Sequence, residues 1–402
     1  MSRGPRTGVD PDRLAALDGL FTAEQRQIAA AVRRLCDAEI TPKVPLWFEA
    51  GELPDPRGLM RQFGELGLLG MHLSGYGCAG LPATDYGLAC RELEACDSGI
   101  RSMVSVQGSL AMYAIWRFGS EEQKQQWLPG MATGETIGCF GLTEADHGSD
   151  PAGMQTSARR DGQGEQADWV LNGSKMWITN GSIADVAVVW AQTTDSPRDI
   201  RGFLVPASTP GFTAGEIAHK LSLRASVTAE LVLQDVRLPA DAVLPAATGL
   251  AGPLSCLTEA RYGIAWGAMG SARSSLHAAL DYARSREQFG KPIGGFQLTQ
   301  AKLADMLAEY VKGMLLAVHL GRLKDAGEIT TEQVSLGKLN NVREALQIAR
   351  TARTILGANG ISLEYPVIRH AANLESVLTY EGTVEMHTLI LGQALTGQNA
   401  FR

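Results

Sequence analysis

Apolar residues recur at a helical period toward both ends of this chain and at a strand period in its middle. Residues 22–134 read as helical. Thr22 with Gln25 three residues later has the form of a capping box, and Ile28, Val32 and Leu35 then share one face. Further helices are predicted near 55–69, 86–96, 104–118 and 121–131. From about Thr136 to Leu244 the pattern becomes β-rich, in short runs at 169–171, 175–178, 186–190, 202–205 and 230–233. Asn172-Gly173 between two of these runs predicts a two-residue hairpin. From about Leu254 the helical period returns in long one-sided segments at 259–284, 296–326, 331–356 and 384–395. Short connections between such helices predict an antiparallel bundle.

This pattern divides the chain into a flexible arm (1–18), an N-terminal helical domain (19–135), a middle β domain (136–250) and a C-terminal helical bundle (251–402). The fold class is mainly α with a central β domain. The arm is assigned from its Pro, Gly and Asp content.

Composition narrows the function classes. The 402 residues are 45% hydrophobic and 20% charged, as in an ordinary soluble protein with a sizeable core. A net charge of −7 argues against a general nucleic-acid binder. The six cysteines form no Cys-x-x-Cys pair and read as buried free thiols in a reducing cytosol. Seven scattered histidines give no metal-ligand spacing, so no metal is expected. No secretory signal precedes residue 20. No apolar run reaches membrane-spanning length.

Two segments invite chemistry. Gly75-Tyr76-Gly77-Cys78-Ala79-Gly80 matches a dinucleotide fingerprint in spelling, but the strand and βαβ unit that give that motif its function are missing. A glycine-rich turn between helices is the better reading. Thr379-Tyr380-Glu381-Gly382-Thr383 places a carboxylate just before an apolar helix. On position alone Glu381 is either a helix-start residue favoured by the helix dipole or a buried base.

That run, with Phe140-Gly141-Leu142-Thr143-Glu144, Trp177-Ile178-Thr179-Asn180, Leu221-Ser222-Leu223-Arg224-Ala225-Ser226, Ala260-Arg261-Tyr262-Gly263 and Arg286-Glu287-Gln288-Phe289-Gly290, resembles the acyl-CoA dehydrogenase family, most of all its glutaryl-CoA dehydrogenase branch. The resemblance spans about 20–401. It implies an FAD enzyme in which Glu381 abstracts a substrate α-proton and a β-hydride passes to the flavin. It places Phe140, Leu142, Thr143, Gly148, Ser149, Trp177, Ile178, Thr179, Leu356, Gly357, Thr383 and Phe401 at the cofactor, with Arg286 and Gln297 reaching it from a neighbouring subunit. It places Arg101, Ser102, Glu94, Tyr380, Ser149, Arg261 and Gly382 at the acyl-CoA substrate. The loop Gly357-Ala358-Asn359-Gly360 would lie near the pyrophosphate, a role compatible with a glycine C-cap.

The acyl chain depends on Arg101. A free carboxylate at the substrate's far end wants a guanidinium, and Glu94 lies two turns earlier if one helix spans both. A surface ion pair is the bland alternative. By resemblance, Glu94, Arg101 and Tyr380 form a carboxylate-binding network and the product is crotonyl-CoA with loss of CO2. Ile100, Met103 and Val104 depart from close relatives at the pocket's end. The alternative is a non-decarboxylating dehydrogenase of another dicarboxyl, short-chain or branched acyl-CoA. An electron-transfer flavoprotein as acceptor, a homotetramer and a cytoplasmic location are further implications.

Overall fold

The protein is described by a computed structural model covering residues 8–164, 166–193 and 199–401. Thirteen α-helices and nine strands are seen among the described residues. In chain order the first helices are α1 (Pro11–Leu14), α2 (Ala23–Leu35), α3 (Val44–Ala50), α4 (Pro56–Glu65), α5 (Ala83–Cys96), α6 (Ser98–Ser105), α7 (Tyr113–Phe118) and α8 (Glu121–Thr133). The Thr22 capping box forms as the sequence predicts, Gln25 N–H donating to Thr22 Oγ1 at 3.2 Å. Helix α6 runs into α7 through a π-helical stretch, Val106–Met112. Within it Gln107 donates to the carbonyls of Met131 and Thr136 and accepts from Gly138 N–H at 2.7 Å. This amide joins the helices to the first strand.

The expected flexible arm is partly wrong. Residues 1–7 lie outside the described residues, but α1 is capped by Asp10. Leu17 is 2% exposed, and Tyr310 donates to Asp12 at 2.7 Å. Apolar burial and a buried tyrosine hydroxyl fix this segment against the bundle.

The middle region forms one seven-stranded sheet from β1 (Gly138–Gly141), β2 (Ser157–Asp161), β3 (Asp168–Thr179), β4 (Val186–Thr193), β5 (Ile200–Pro206), β6 (Phe212–Glu216) and β7 (Thr228–Leu238). The order is β1-β4-β2-β3-β7-β6, with β5 also on β4. The hairpin predicted at Asn172-Gly173 does not occur. β3 runs straight through it, and the register against β7 shifts between Leu171 and Gly173. Asn172 and Asp235 exchange two hydrogen bonds across this bulge. A Cβ on Gly173 would sit 2.6 Å from Thr156 Oγ1, so the glycine serves close packing here rather than a turn.

The bundle contains α9 (Ala251–Ser285), α10 (Gln297–Asp325), α11 (Thr331–Leu356), α12 (Val367–Thr379) and α13 (Val384–Thr396), with a small hairpin of β8 (Glu287–Gln288) and β9 (Lys291–Pro292) between α9 and α10. Helix α9 is the central post, packing on both α5 and α11. Helix α12 was not visible in the apolar pattern. Its buried face includes Arg369, His370 and Asn373, polar residues that dilute the stripe. The Gly75–Gly80 segment lies between α4 and α5, and among the described residues no strand precedes it, as its context predicted. Arg224 donates to the carbonyls of Phe48, Glu49 and Lys220, so it fastens a loop to the end of α3.

Candidate active site

Helix α5 stops because Asp97 adopts an extended backbone, φ −164° and ψ 137°. Its carboxylate then caps α6, Oδ1 accepting from Gly99 N–H at 2.7 Å. The other oxygen accepts from Arg369 at 2.6 Å and Asn373 at 2.8 Å. The single helix assumed between Glu94 and Arg101 is therefore broken. The two side chains meet across the break nonetheless, Arg101 Nε donating to Glu94 Oε2 at 2.7 Å. Glu94 Oε1 accepts from Ser98 Oγ at 3.0 Å, and Arg101 Nη2 donates to the Tyr380 hydroxyl.

Both members of the ion pair are 0% exposed. Room for them comes from α9, where a Cβ on Gly267 would lie 2.2 Å from Glu94 Oε2. Arg101 Nη1 is buried and has no hydrogen-bond partner among the described residues. A buried, unsatisfied guanidinium donor is costly, and its placement fits an anionic ligand. Ser102, the next residue, is buried beside it.

The second half of the site is the turn between α12 and α13. Thr383 caps α13, accepting from Met386 N–H at 3.3 Å, so Glu381 stands before the helix rather than inside its first turn. Glu381 has φ 51° and Gly382 φ 97°. A left-handed backbone is unfavourable for glutamate, and three bonds hold it there. Lys338 Nζ donates to the carbonyl of Tyr380 and to that of Gly382, the latter at 2.6 Å. Arg261 Nε donates to the carbonyl of Glu381 at 2.6 Å.

Glu381 Oε2 is buried with no partner among the described residues. Its N–H makes no hydrogen bond among them either. Burial raises the Glu381 carboxyl above its ordinary value, while Arg101, Lys338 and Arg261 oppose the rise. Burial pushes Lys338 down to about 7, with Glu381 opposing and Arg261 and Arg101 reinforcing. His387 packs beneath Gly382 and is driven down to about 3, first by burial, then by Lys338 and Arg261. Arg261 itself is lowered by burial, against the pull of Glu381.

Strand β3 brings the sheet to this centre. Asn180 Nδ2 donates to the carbonyl of Met103 on α6 at 3.1 Å. Three residues earlier the register shifts again, and Trp177 takes φ 63°. The residue is 58% exposed. A tryptophan in the left-handed region, turned out of a sheet, is an outlier of the kind that clusters at ligand sites. Its face and the half-buried Thr179 and Thr143 fit a planar cofactor ring. The loop after β1 is shaped from below by Glu144, which accepts from Gln155 N–H at 2.6 Å, Thr156 N–H at 2.9 Å and Lys175 Nζ at 2.8 Å.

Other expected site residues are placed less directly. The side chains of Phe140, Leu142, Ile178 and Leu356 are all packed in the core, which leaves mainly their backbone for a ligand. Gly148 and Ser149 are exposed on their loop, with no side-chain bond to the Arg101–Glu381 centre. Gly357 caps α11 at φ 59° and ψ −130°. Phe401 is 48% exposed. Arg286 and Gln297 flank the exposed β8–β9 hairpin, where Phe289 is 94% and Leu298 80% exposed. Within one chain the structure does not join them to Glu381.

The sequence reading missed Lys338, His387, Asn180, Gly267 and the Asp97–Arg369 pair. Lys338 had a visible signal, since it occupies the stripe Val334, Val342, Ala345 and Ala349 of α11, all buried. Gly267 had none, because its role is set by Glu94 from a distant helix.

Three family models match the chain: acyl-CoA dehydrogenase N-terminal domain over 22–135, middle domain over 139–236 and C-terminal domain over 247–396. A glutaryl-CoA dehydrogenase structure from Mycobacterium smegmatis is 67% identical with TM-score 0.95, covering 98% of this chain and 100% of that one. A second from the same organism, in complex with FADH2, is 63% identical with TM-score 0.95 and the same coverage. The bovine mitochondrial short-chain specific acyl-CoA dehydrogenase is 38% identical over 343 residues, 84% of this chain and 82% of the relative.

Proposed function

The chain belongs to the acyl-CoA dehydrogenase family, and from that premise we propose that it oxidises and decarboxylates glutaryl-CoA to crotonyl-CoA and CO2. The observation that carries this reading is the buried, unpartnered Arg101 Nη1 beside the Glu94–Arg101–Tyr380 network. A monocarboxylic acyl chain offers that nitrogen nothing. The ω-carboxylate of a dicarboxylic one satisfies it with a charge-assisted bond. The likeness to glutaryl-CoA dehydrogenases along nearly the whole chain supports the same substrate.

Bound FAD supplies the acceptor for the β-hydride. In this chain Trp177, Thr179, Leu142 and Thr143 would hold its ring, and Arg286 and Gln297 of a second copy its phosphate end. Glu381 takes the α-proton of the thioester. Its raised carboxyl suits a general base working nearer neutrality. As the proton leaves, charge develops on the thioester oxygen, and the free N–H of Glu381 is available to stabilise it. After oxidation the substrate would hold an α,β-double bond with its carboxylate on the γ-carbon; breaking the bond to that carboxylate releases CO2 and leaves the electron pair as a dienolate conjugated to the thioester. The proton on Glu381 then returns to the γ-carbon, which restores the base.

An electron-transfer flavoprotein is the proposed electron acceptor, and a homotetramer in the cytoplasm the proposed form. Helix α13 supports assembly: its sequence is largely apolar, yet only His387 is buried in the single chain. Among the described residues no helix is long and apolar enough to cross a membrane. Calorimetric titration tests the substrate reading, with glutaryl-CoA binding at least tenfold tighter than butyryl-CoA. Equal affinity would remove the carboxylate anchor.

A further inference from the structure

The three carbonyls of Tyr380, Glu381 and Gly382 are each taken by a buried cation from another helix: Lys338 of α11 binds the first and third, Arg261 of α9 the second. Lys338 is 1% exposed, and among the described residues its hydrogen bonds go to this turn. From this arrangement we infer that Lys338 is the positioning residue for the base, holding Glu381 in its left-handed turn with its N–H unpaired. The inference rests on Glu381 being the base.

The physical argument has two parts. The first is geometric. A glutamate at φ 51° relaxes toward ordinary backbone unless something prevents it, and relaxation would rotate the peptide N–H away from its present direction. Lys338 spans the residue, so rotating either flanking peptide breaks a bond from a buried ammonium. Such bonds, with one partner ionised, are stronger than neutral ones. Gly382 completes the lock: a Cβ there would meet His387 Nε2 at 2.8 Å, so the turn is packed from below.

The second part is electrostatic. Burial alone drives a carboxyl upward. The charged or titratable groups facing Glu381 are Arg101 from α6, Arg261 from α9 and Lys338 from α11, with His387 from α13 and Tyr380 in the turn itself. Arg101 is committed to Glu94 and Tyr380. His387 is held neutral around pH 7. Among the described residues Lys338 forms no ion pair with a carboxylate, and Glu381 is the carboxylate that acts on it. Burial costs that charge, and the two carbonyls and Glu381 are what oppose the loss.

The test separates positioning from folding. Wild type, Lys338→Met and Lys338→Gln, each as the FAD-loaded full chain, are incubated with acyl-CoA in D2O. Exchange of the α-hydrogens is followed by mass against pH, with thermal midpoint and flavin content measured alongside. Exchange reports the base without requiring net oxidation. The expected result is a fall of at least tenfold at pH 7 in both variants, with the pH midpoint moved upward by about one unit as a nearby positive charge is lost. Substrate affinity should change less than threefold. An unaltered rate and pH midpoint in either folded variant would overturn the assignment. Failure of both variants to fold would also overturn it, by making Lys338 structural. Absence of exchange in wild type with glutaryl-CoA, butyryl-CoA and isovaleryl-CoA alike would instead sink the underlying reading of Glu381.

Discussion

Arg101 and Glu94 are joined Nε to Oε2 at 2.7 Å across a helix break, both wholly buried. The break belongs to the site: the Asp97 cap re-aims α6 so that Arg101 points back at α5 and forward at Tyr380. Removing one member of such a pair leaves an uncompensated buried charge, which costs about 3–5 kcal/mol. Arg101→Met alone is expected to lower the thermal midpoint markedly, while Glu94→Gln with Arg101→Met recovers most of the loss. In the double variant the preference for glutaryl-CoA over butyryl-CoA should fall at least about 30-fold, the equivalent of about 2 kcal/mol for a truncated buried charge contact. Paired calorimetry and kcat/KM measurements check both statements.

Gly267 supplies the space for that pair. A methyl group there meets Glu94 Oε2 at 2.2 Å and Arg101 Nε at 3.2 Å. Gly267→Ala is expected to cost about 1–3 kcal/mol, as overpacked cores do, and to weaken glutaryl-CoA binding more than butyryl-CoA binding. Denaturant melts and a pair of titrations suffice to measure it.

Trp177 is strained and exposed in the single chain. Trp177→Gly removes the backbone strain together with the ring. The protein without cofactor should then melt no lower than wild type, whereas FAD affinity falls about 2- to 10-fold, the range of one aromatic contact at about 0.5–1.5 kcal/mol. Fluorescence titration of the cofactor-free protein with FAD reads this directly.

Glu381→Gln keeps the volume and removes the proposed base. FAD should stay bound with an unchanged spectrum, and α-hydrogen exchange should drop at least about 10³-fold, within the usual reach of general base catalysis. Wild-type exchange should rise with pH, because only the ionised carboxylate accepts a proton and burial has raised its midpoint above 4.5. Stopped-flow absorbance and exchange in D2O report the two parts separately.

Glu144 gives a pH signature in stability. Burial opposes its charge, but bonds from Gln155 N–H, Lys175 and Thr156 hold its carboxyl down at about 2. A carboxyl lower in the folded than in the unfolded chain contributes stability that is full above 4.5 and lost as pH falls toward 2. After allowance for solvent screening the contribution is about 1–2 kcal/mol. The thermal midpoint should fall between pH 5 and pH 3, and Glu144→Gln should flatten that slope.

Much of this architecture was legible because the long helices keep one apolar face. The range 331–356 for α11 and the Thr22 cap follow from periodicity and capping chemistry alone. Glu381, Arg101 and Tyr380 were legible through their motifs. What failed did so for tertiary reasons. Asn172-Gly173 spells a turn, but Gly173 is needed for contact with Thr156, and the strand continues. Glu94 and Arg101 were paired on the assumption of one helix, and the pair survives only because Asp97 breaks it. Lys338 stands on the buried stripe of α11, which marks it as unusual, but its role lies in carbonyls 42 and 44 residues away.

The most direct measurement is the mass of the product after mixing the FAD-loaded protein with glutaryl-CoA and an artificial electron acceptor. The Glu94–Arg101–Tyr380 anchor with Glu381 as proton carrier predicts crotonyl-CoA and one equivalent of CO2. Glutaryl-CoA returned unchanged by flavin-replete protein would contradict the substrate assignment, and glutaconyl-CoA as the final product would contradict decarboxylation.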